Sequence, residues 1–132
     1  MKRKLFINLA ATDLKASTDF FLQLGFSFHP QFSDDTASCI VLSDDLYLML
    51  LTKDKFVSFS PNPLINSHLQ TEVLNCLSCS SKAEVDELVQ KAVKAGGKTY
   101  NQPQDHGFMY AHGFQDLDGH VWELVYMEML QA

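Results

Sequence analysis

The run from Asp105 to Met127, DHGFMYAHGFQDLDGHVWELVYM, constrains this chain most. Aromatic and β-branched residues, which strands favour, flank Asp116-Leu117-Asp118-Gly119. Aspartates bond local backbone amides and glycine takes positive φ without steric cost, so these four residues predict a tight turn between two antiparallel strands. A four-residue loop sets His112 opposite Glu123. Period-two alternation then places Tyr110, His112 and Phe114 on one face with Val121, Glu123 and Val125, and turns Trp122 and His120 to the other, under the helices. A carboxylate facing a histidine on an apolar strand is either a structural cross-strand pair or part of a site. With Asn8 from the first strand, His112 and Glu123 would form a small polar cluster in an apolar pocket, as small-molecule sites do. Glu123 there would suit general-base work. His106, Phe108 and Tyr110 sit at the mouth of this hairpin, where His106 either meets a ligand or is an ordinary turn histidine beside Gly107.

The rest of the chain repeats one order of elements twice. Leu5 to Ala10 predicts a strand, Thr12-Asp13 a cap and Leu14 to Leu24 a helix. Phe26, Phe28 and Phe32 suit one face of a next strand, with Pro30 implying an edge or bend. A hairpin around Asp44-Asp45 joins Thr36–Ser43 to Leu46–Thr52. Lys53 to Thr71, with Pro61 and Pro63, has no clean periodicity and is expected to be a linker with a loose helical turn. Then come a strand from Val73 to Cys79 and a capping box, Ser81 to Glu84. An apolar helical stripe follows (Val85, Leu88, Val89, Ala92, Val93), then Gly96-Gly97, a short strand from Thr99 to Gln102 and the last hairpin. The expectation is an α+β fold of two βαβββ modules, residues 1–53 and 72–132 joined by a linker at 54–71, in one domain of 132 residues. Neither small sheet buries both faces alone, so the modules should pair into one curved mixed sheet.

Composition narrows the class. Hydrophobic residues make up 46% and charged residues 20%, as in a globular chain able to bury a core. A net charge of −6 without a basic stripe argues against nucleic acid as a partner. No stretch approaches the roughly 20 apolar residues of a membrane helix, so no membrane partner is expected. The apolar run after Met1-Lys2-Arg3-Lys4 is short and interrupted by Asn8, which favours a strand over a leader. Three cysteines in no scaffold pattern point to a cytoplasmic location. Cys76 and Cys79 match C-x-x-C, yet residues three apart on a strand point to opposite faces, so no redox or zinc role is expected of them.

The sequence Asp116-Leu-Asp-Gly-His-Val-Trp-Glu-Leu124 resembles the end of a vicinal oxygen chelate domain, the glyoxalase I, bleomycin-resistance and extradiol-dioxygenase superfamily. Phe6-Ile-Asn-Leu9, Thr71-Glu-Val-Leu74 and Pro103-Gln-Asp-His-Gly-Phe-Met-Tyr110 resemble its bacterial "predicted lactoylglutathione lyase" branch. The resemblance implies a cavity often completed by a second subunit, hence a homodimer, and a divalent metal held by four strand positions. Those positions match Phe6, Leu50, Leu74 and Glu123. Three of the four lack a nitrogen or oxygen donor, so no metal cofactor is expected at this site. The resulting expectation is a small-molecule-binding protein with an incomplete metal site. Its ligand-binding residues would be Phe6, Asn8, Leu50, Leu74, His106, Phe108, Tyr110 and His112. The alternative is a lyase or isomerase with Glu123 as catalytic base or metal ligand.

Overall fold

The structure, a computed structural model, describes residues 1–128. It divides into two compact units, Met1–Asn66 and the chain from Ser67 onward. The first unit contains β1 (Leu5–Ala11), α1 (Leu14–Gln23), β2 (Ser27–Phe28), a 3₁₀ turn (Pro30–Phe32), β3 (Ala37–Ser43), β4 (Leu46–Thr52) and α2 (Lys53–Phe59). Its sheet runs β1-β4-β3-β2, with β1 and β4 parallel and the other pairs antiparallel. Asp13 caps α1 by accepting from the Ala16 amide at 3.1 Å. Phe20 and Phe21, packed edge to face with centroids 5.0 Å apart, are buried with Leu24. The strand expected to reach Phe32 stops at Phe28: Pro30 has no amide for the ladder and begins the 3₁₀ turn.

The second unit contains β5 (Leu74–Ser78), α3 (Lys82–Lys94), β6 (Gln104–Asp105), β7 (Met109–Gln115) and β8 (Val121–Met127), with sheet order β5-β8-β7-β6. β5 and β8 are parallel, again the first and last strands of the unit. Ser81 caps α3 by accepting from the Glu84 amide at 3.0 Å, and Glu84 in return accepts from the Ser80 amide at 2.8 Å. Val85, Val89 and Ala92 are buried as α3 packs on β7 and β8. The short strand expected at Thr99–Gln102 is displaced. Lys98 alone bridges to Gln115, and the paired segment is Gln104–Asp105, beyond Pro103, which has no amide to donate. Both units are thus four-stranded mixed sheets with helices, the α+β class expected of βαβββ modules.

The register of the last hairpin differs from expectation by one residue. Gln115 pairs with Val121, so the loop holds five residues, Asp116 to His120. His112 therefore lies opposite Leu124, and Glu123 lies opposite Gly113. With period two, that slip turns His112 and Glu123 to opposite faces. Asp116 sets the longer loop. Its Oδ1 accepts from the Asp118 and His120 amides, both at 3.0 Å, and its Oδ2 accepts from the Trp122 indole at 3.0 Å. Its own amide donates to the His120 carbonyl at 3.0 Å. Gly119 has φ +84°, and a Cβ there would lie 2.8 Å from both the Ser67 carbonyl oxygen and His68 Nδ1, so a side chain is excluded on two grounds.

Candidate functional site

In the first unit, ladder partners define two faces. Phe6, Asn8 and Ala10 stand beside Tyr47, Met49 and Leu51. The opposite face carries Leu9, Leu50 and Ser38, and the Ser38 hydroxyl accepts from Thr18 of α1 at 2.8 Å. Leu50 is therefore buried on the α1 side, 1% exposed, and does not share the face of Phe6 and Asn8. The expected grouping of Phe6 with Leu50 assumed the wrong phase of β4: Met49 and Leu51 are the residues beside Asn8 and Ala10. Phe6 stacks on Tyr47, with centroids 4.7 Å apart, and Lys4 Nζ lies 5.3 Å from the centre of that ring.

The element least visible in sequence shapes this face. The expected loose helical turn is α2, seven residues packed on β1 and β4. Thr52 caps it by accepting from the Lys55 amide at 3.3 Å, and Asp54 lies in its first turn, favourable to the helix dipole. Those two residues were the available signal; two turns are too few for a periodic stripe. Between α2 and the sheet lies a pocket of ≈ 530 Å³ lined by Asn8, Leu51, Phe56, Phe59 and Ser60. Asn8 donates to the Phe6 carbonyl at 3.3 Å, and among the described residues nothing donates to its side-chain oxygen. Of the lining residues, Asn8 is the one the sequence places in a site.

In the second unit, β5 and β8 place Cys76 beside Glu123, flanked by Leu74 with Val121 and by Ser78 with Val125. Across β7, Gly113 faces Glu123, and the Tyr100 hydroxyl occupies the space where a Cβ on Gly113 would sit. Tyr100 donates to the Trp122 carbonyl at 3.5 Å. Burial and the neighbouring Glu123 charge raise both the Cys76 thiol and the Tyr100 phenol above their ordinary pKa values. The Glu123 carboxylate has no hydrogen-bond donor among the described residues. Cys79 is buried, and its thiol is pushed up to about 12 by burial and by Glu84. Cys39, Cys76 and Cys79 form no disulfide among the described residues.

The other expected site residues lie elsewhere in this unit. His112 and Tyr110 are on the Trp122 face: His112 pairs with Leu124, and its Nε2 lies 3.1 Å from the Asn101 carbonyl. Tyr110 donates to Asp86 of α3 at 2.6 Å, and that carboxylate raises its phenol to about 12. Placing these two with Glu123 followed from the four-residue loop and is corrected by the five-residue one. His106 and Phe108 are exposed in the turn between β6 and β7, where the His106 amide donates to the Met109 carbonyl at 2.8 Å.

The donor set does not fit the metal implied by the sequence resemblance. Phe6, Leu50 and Leu74 offer no lone pair, and Leu50 faces α1. Glu123 and its neighbour Cys76 supply at most two ligands, and that thiol resists the deprotonation a metal requires. Asp116, Asp118 and His120 bring donor atoms within 4.8 Å of one another. Both oxygens of Asp116 are already committed to the loop amides and the indole.

Residues 5–124 match the Glyoxalase/Bleomycin resistance protein/Dioxygenase superfamily, and the chain belongs to that family. A hypothetical protein from S. aureus is similar in structure with a TM-score of 0.80 and 28% identity, covering 96% of this chain and 94% of that one. The genomically encoded fosfomycin resistance protein, FosX, from Listeria monocytogenes shares the fold with a TM-score of 0.69 and 18% identity, over 99% and 98% of the two chains. A bleomycin resistance determinant encoded on the transposon Tn5 shares it with a TM-score of 0.66 and 19% identity, over 96% and 99%. No curated protein matches the sequence.

Proposed function

We propose that this protein binds a small organic molecule without a complete metal centre, in the pocket of its first unit. The observation that carries this reading is the pocket itself. At ≈ 530 Å³, lined by Leu51, Phe56 and Phe59 with Asn8 and Ser60, it joins apolar walls to a few polar groups. Small-molecule sites have that make-up and occupy roughly 300–1,000 Å³. The missing donors at Phe6, Leu50 and Leu74 support the metal-free part of the reading. The relatives named for resistance to bleomycin and fosfomycin support a drug or metabolite as the ligand class.

A second reading, a lactoylglutathione lyase-like reaction, draws on Glu123. A half-buried carboxylate without a donor, beside Cys76 and Tyr100, is placed to accept a proton. A thermal-shift panel of small molecules, run with and without divalent metals, separates the two. A ligand binding only the folded chain raises its stability by about 2.7 kcal/mol at a hundredfold excess over Kd. The binder reading expects hits unaffected by metal or by Glu123→Gln. Hits lost in Glu123→Gln, with or without a divalent ion, would move the conclusion to the lyase.

The proposal extends to a single-domain, cytoplasmic homodimer. Leu5 and Phe6 in β1 of the first unit, and Val73 and Leu74 at the start of β5 in the second, are exposed apolar residues, each pair a surface that a second copy would cover. Sedimentation at micromolar concentration is expected to give twice the 14.9 kDa chain mass, and a monomer alone would remove the dimer.

A further inference from the structure

We infer that the pocket of the first unit takes a neutral, flat heteroaromatic molecule carrying one N–H or O–H donor on its edge. The inference rests on the small-molecule reading above and narrows it to a chemical class. Asn8, Leu51, Phe56, Phe59 and Ser60 include no charged group, so an ion bound among them would lose hydration without a counter-charge from the walls. Two phenylalanine rings favour an aromatic guest, which gains from offset or edge-on ring contacts beyond its buried area. Lys55 lies near, but its Nζ is 5.2 Å over the centre of the Phe59 ring and occupies one face of it.

The polar atoms of the pocket select the guest further. The Ser60 hydroxyl donates to the Asn62 carbonyl at 2.7 Å and accepts from the Asn62 amide at 3.2 Å, so it is engaged within its own turn. Asn8 uses one of its two amide hydrogens on the Phe6 carbonyl at 3.3 Å. Its side-chain oxygen remains as an acceptor, and a guest satisfies it by presenting a donor. The Asn8 oxygen, an acceptor beside apolar walls, takes an edge donor as its complement.

Indole is the probe, with N-methylindole as its donor-free counterpart and indole-3-acetate as its anionic one. Titrated into the ¹⁵N-labelled full chain, indole is expected to shift the Asn8 side-chain amide and the backbone amides of residues 56–60. N-methylindole is expected to bind about threefold to tenfold more weakly. Asn8→Ala should bring indole down to the N-methylindole level and leave N-methylindole unchanged. Phe59 is 66% exposed, so Phe59→Ala keeps the fold and is expected to weaken indole about tenfold. Equal binding of indole and N-methylindole, or binding of indole-3-acetate alone with loss in Lys55→Ala, would overturn the assignment. Indole shifts confined to residues around Glu123 would remove this pocket while leaving the small-molecule reading standing. No response to indole, with hits in the thermal-shift panel, would likewise remove only the ligand class. Silence in both experiments removes both.

Discussion

Asp116→Ala is expected to destabilise the second unit by roughly 3–5 kcal/mol, near the top of the range for single substitutions. Asp116 is 6% exposed and accepts three hydrogen bonds, from the Asp118 amide, the His120 amide and the Trp122 indole. Alanine leaves all three donors unsatisfied, and Trp122 is itself buried. Asp116→Asn is a sharper test, because one of its two side-chain atoms becomes a donor and must face an N–H. Both variants should lower the urea midpoint, Asn by less than Ala. Desolvation by burial, opposed by His120 and by these hydrogen bonds, holds the Asp116 carboxyl above its ordinary pKa. The folded chain therefore takes up this proton more readily than the unfolded one. The contribution of this ionisation to stability is full below the ordinary carboxylate pKa and declines as pH rises through the raised value. The gap between wild type and Asp116→Ala should accordingly narrow over that interval, measured by urea unfolding at a series of pH values. A gap that widens would contradict the burial account.

Gly113→Ala is expected to cost roughly 2–3 kcal/mol, the effect of overpacking where backbone blocks relaxation. A Cβ at Gly113 would collide with the Tyr100 hydroxyl and with the Trp122 carbonyl oxygen. Tyr100 is 42% exposed and can swing away, whereas the carbonyl belongs to β8 and cannot. The double variant Gly113→Ala with Tyr100→Phe should therefore remain close to the single Gly113→Ala in thermal midpoint. Full recovery in the double variant would place the whole collision on the hydroxyl. In the single Gly113→Ala variant, moving Tyr100 changes its distance to Glu123 and Cys76, so the Tyr100 phenol, followed by tyrosine absorbance against pH, should shift toward its ordinary range.

The elements were legible where local chemistry was complete. Asp13 and the Ser81–Glu84 pair marked helix starts, and Asp44-Asp45 marked the first hairpin. Of the helical stripe, Val85, Val89 and Ala92 are buried, whereas Val93 at its end is 47% exposed. The site was less legible, for two reasons. The loop Asp116 to His120 contains a familiar turn, but its length is set by a tertiary bond, from Asp116 to an indole beyond the loop. One added residue then moved His112 and Tyr110 away from Glu123. The second reason is α2, whose seven residues carry a cap but no period, so Phe56 and Phe59 read as part of a linker with a loose helical turn although they wall the pocket. Leu50 failed for a simpler cause. In Leu48-Met49-Leu50-Leu51 every side chain is apolar, and composition cannot reveal which alternate residues face α1.

The parallel pairing of first and last strands has a consequence for how the chain comes into being. In each unit the final strand, β4 or β8, lies between the first strand and the strand before it. A ribosome therefore releases β1 about forty residues before its neighbour exists, and β5 waits about as long for β8. Until then each early strand is an open edge with apolar side chains, and no partial sheet contains it. Contacts so distant along the sequence slow folding, because the loop must close before any of them is rewarded. A stall or truncation before Val121 would release β5 and β7 with no strand between them. That species, unlike the finished sheet, leaves two strand edges open to aggregation, the kind of surface on which chaperones act.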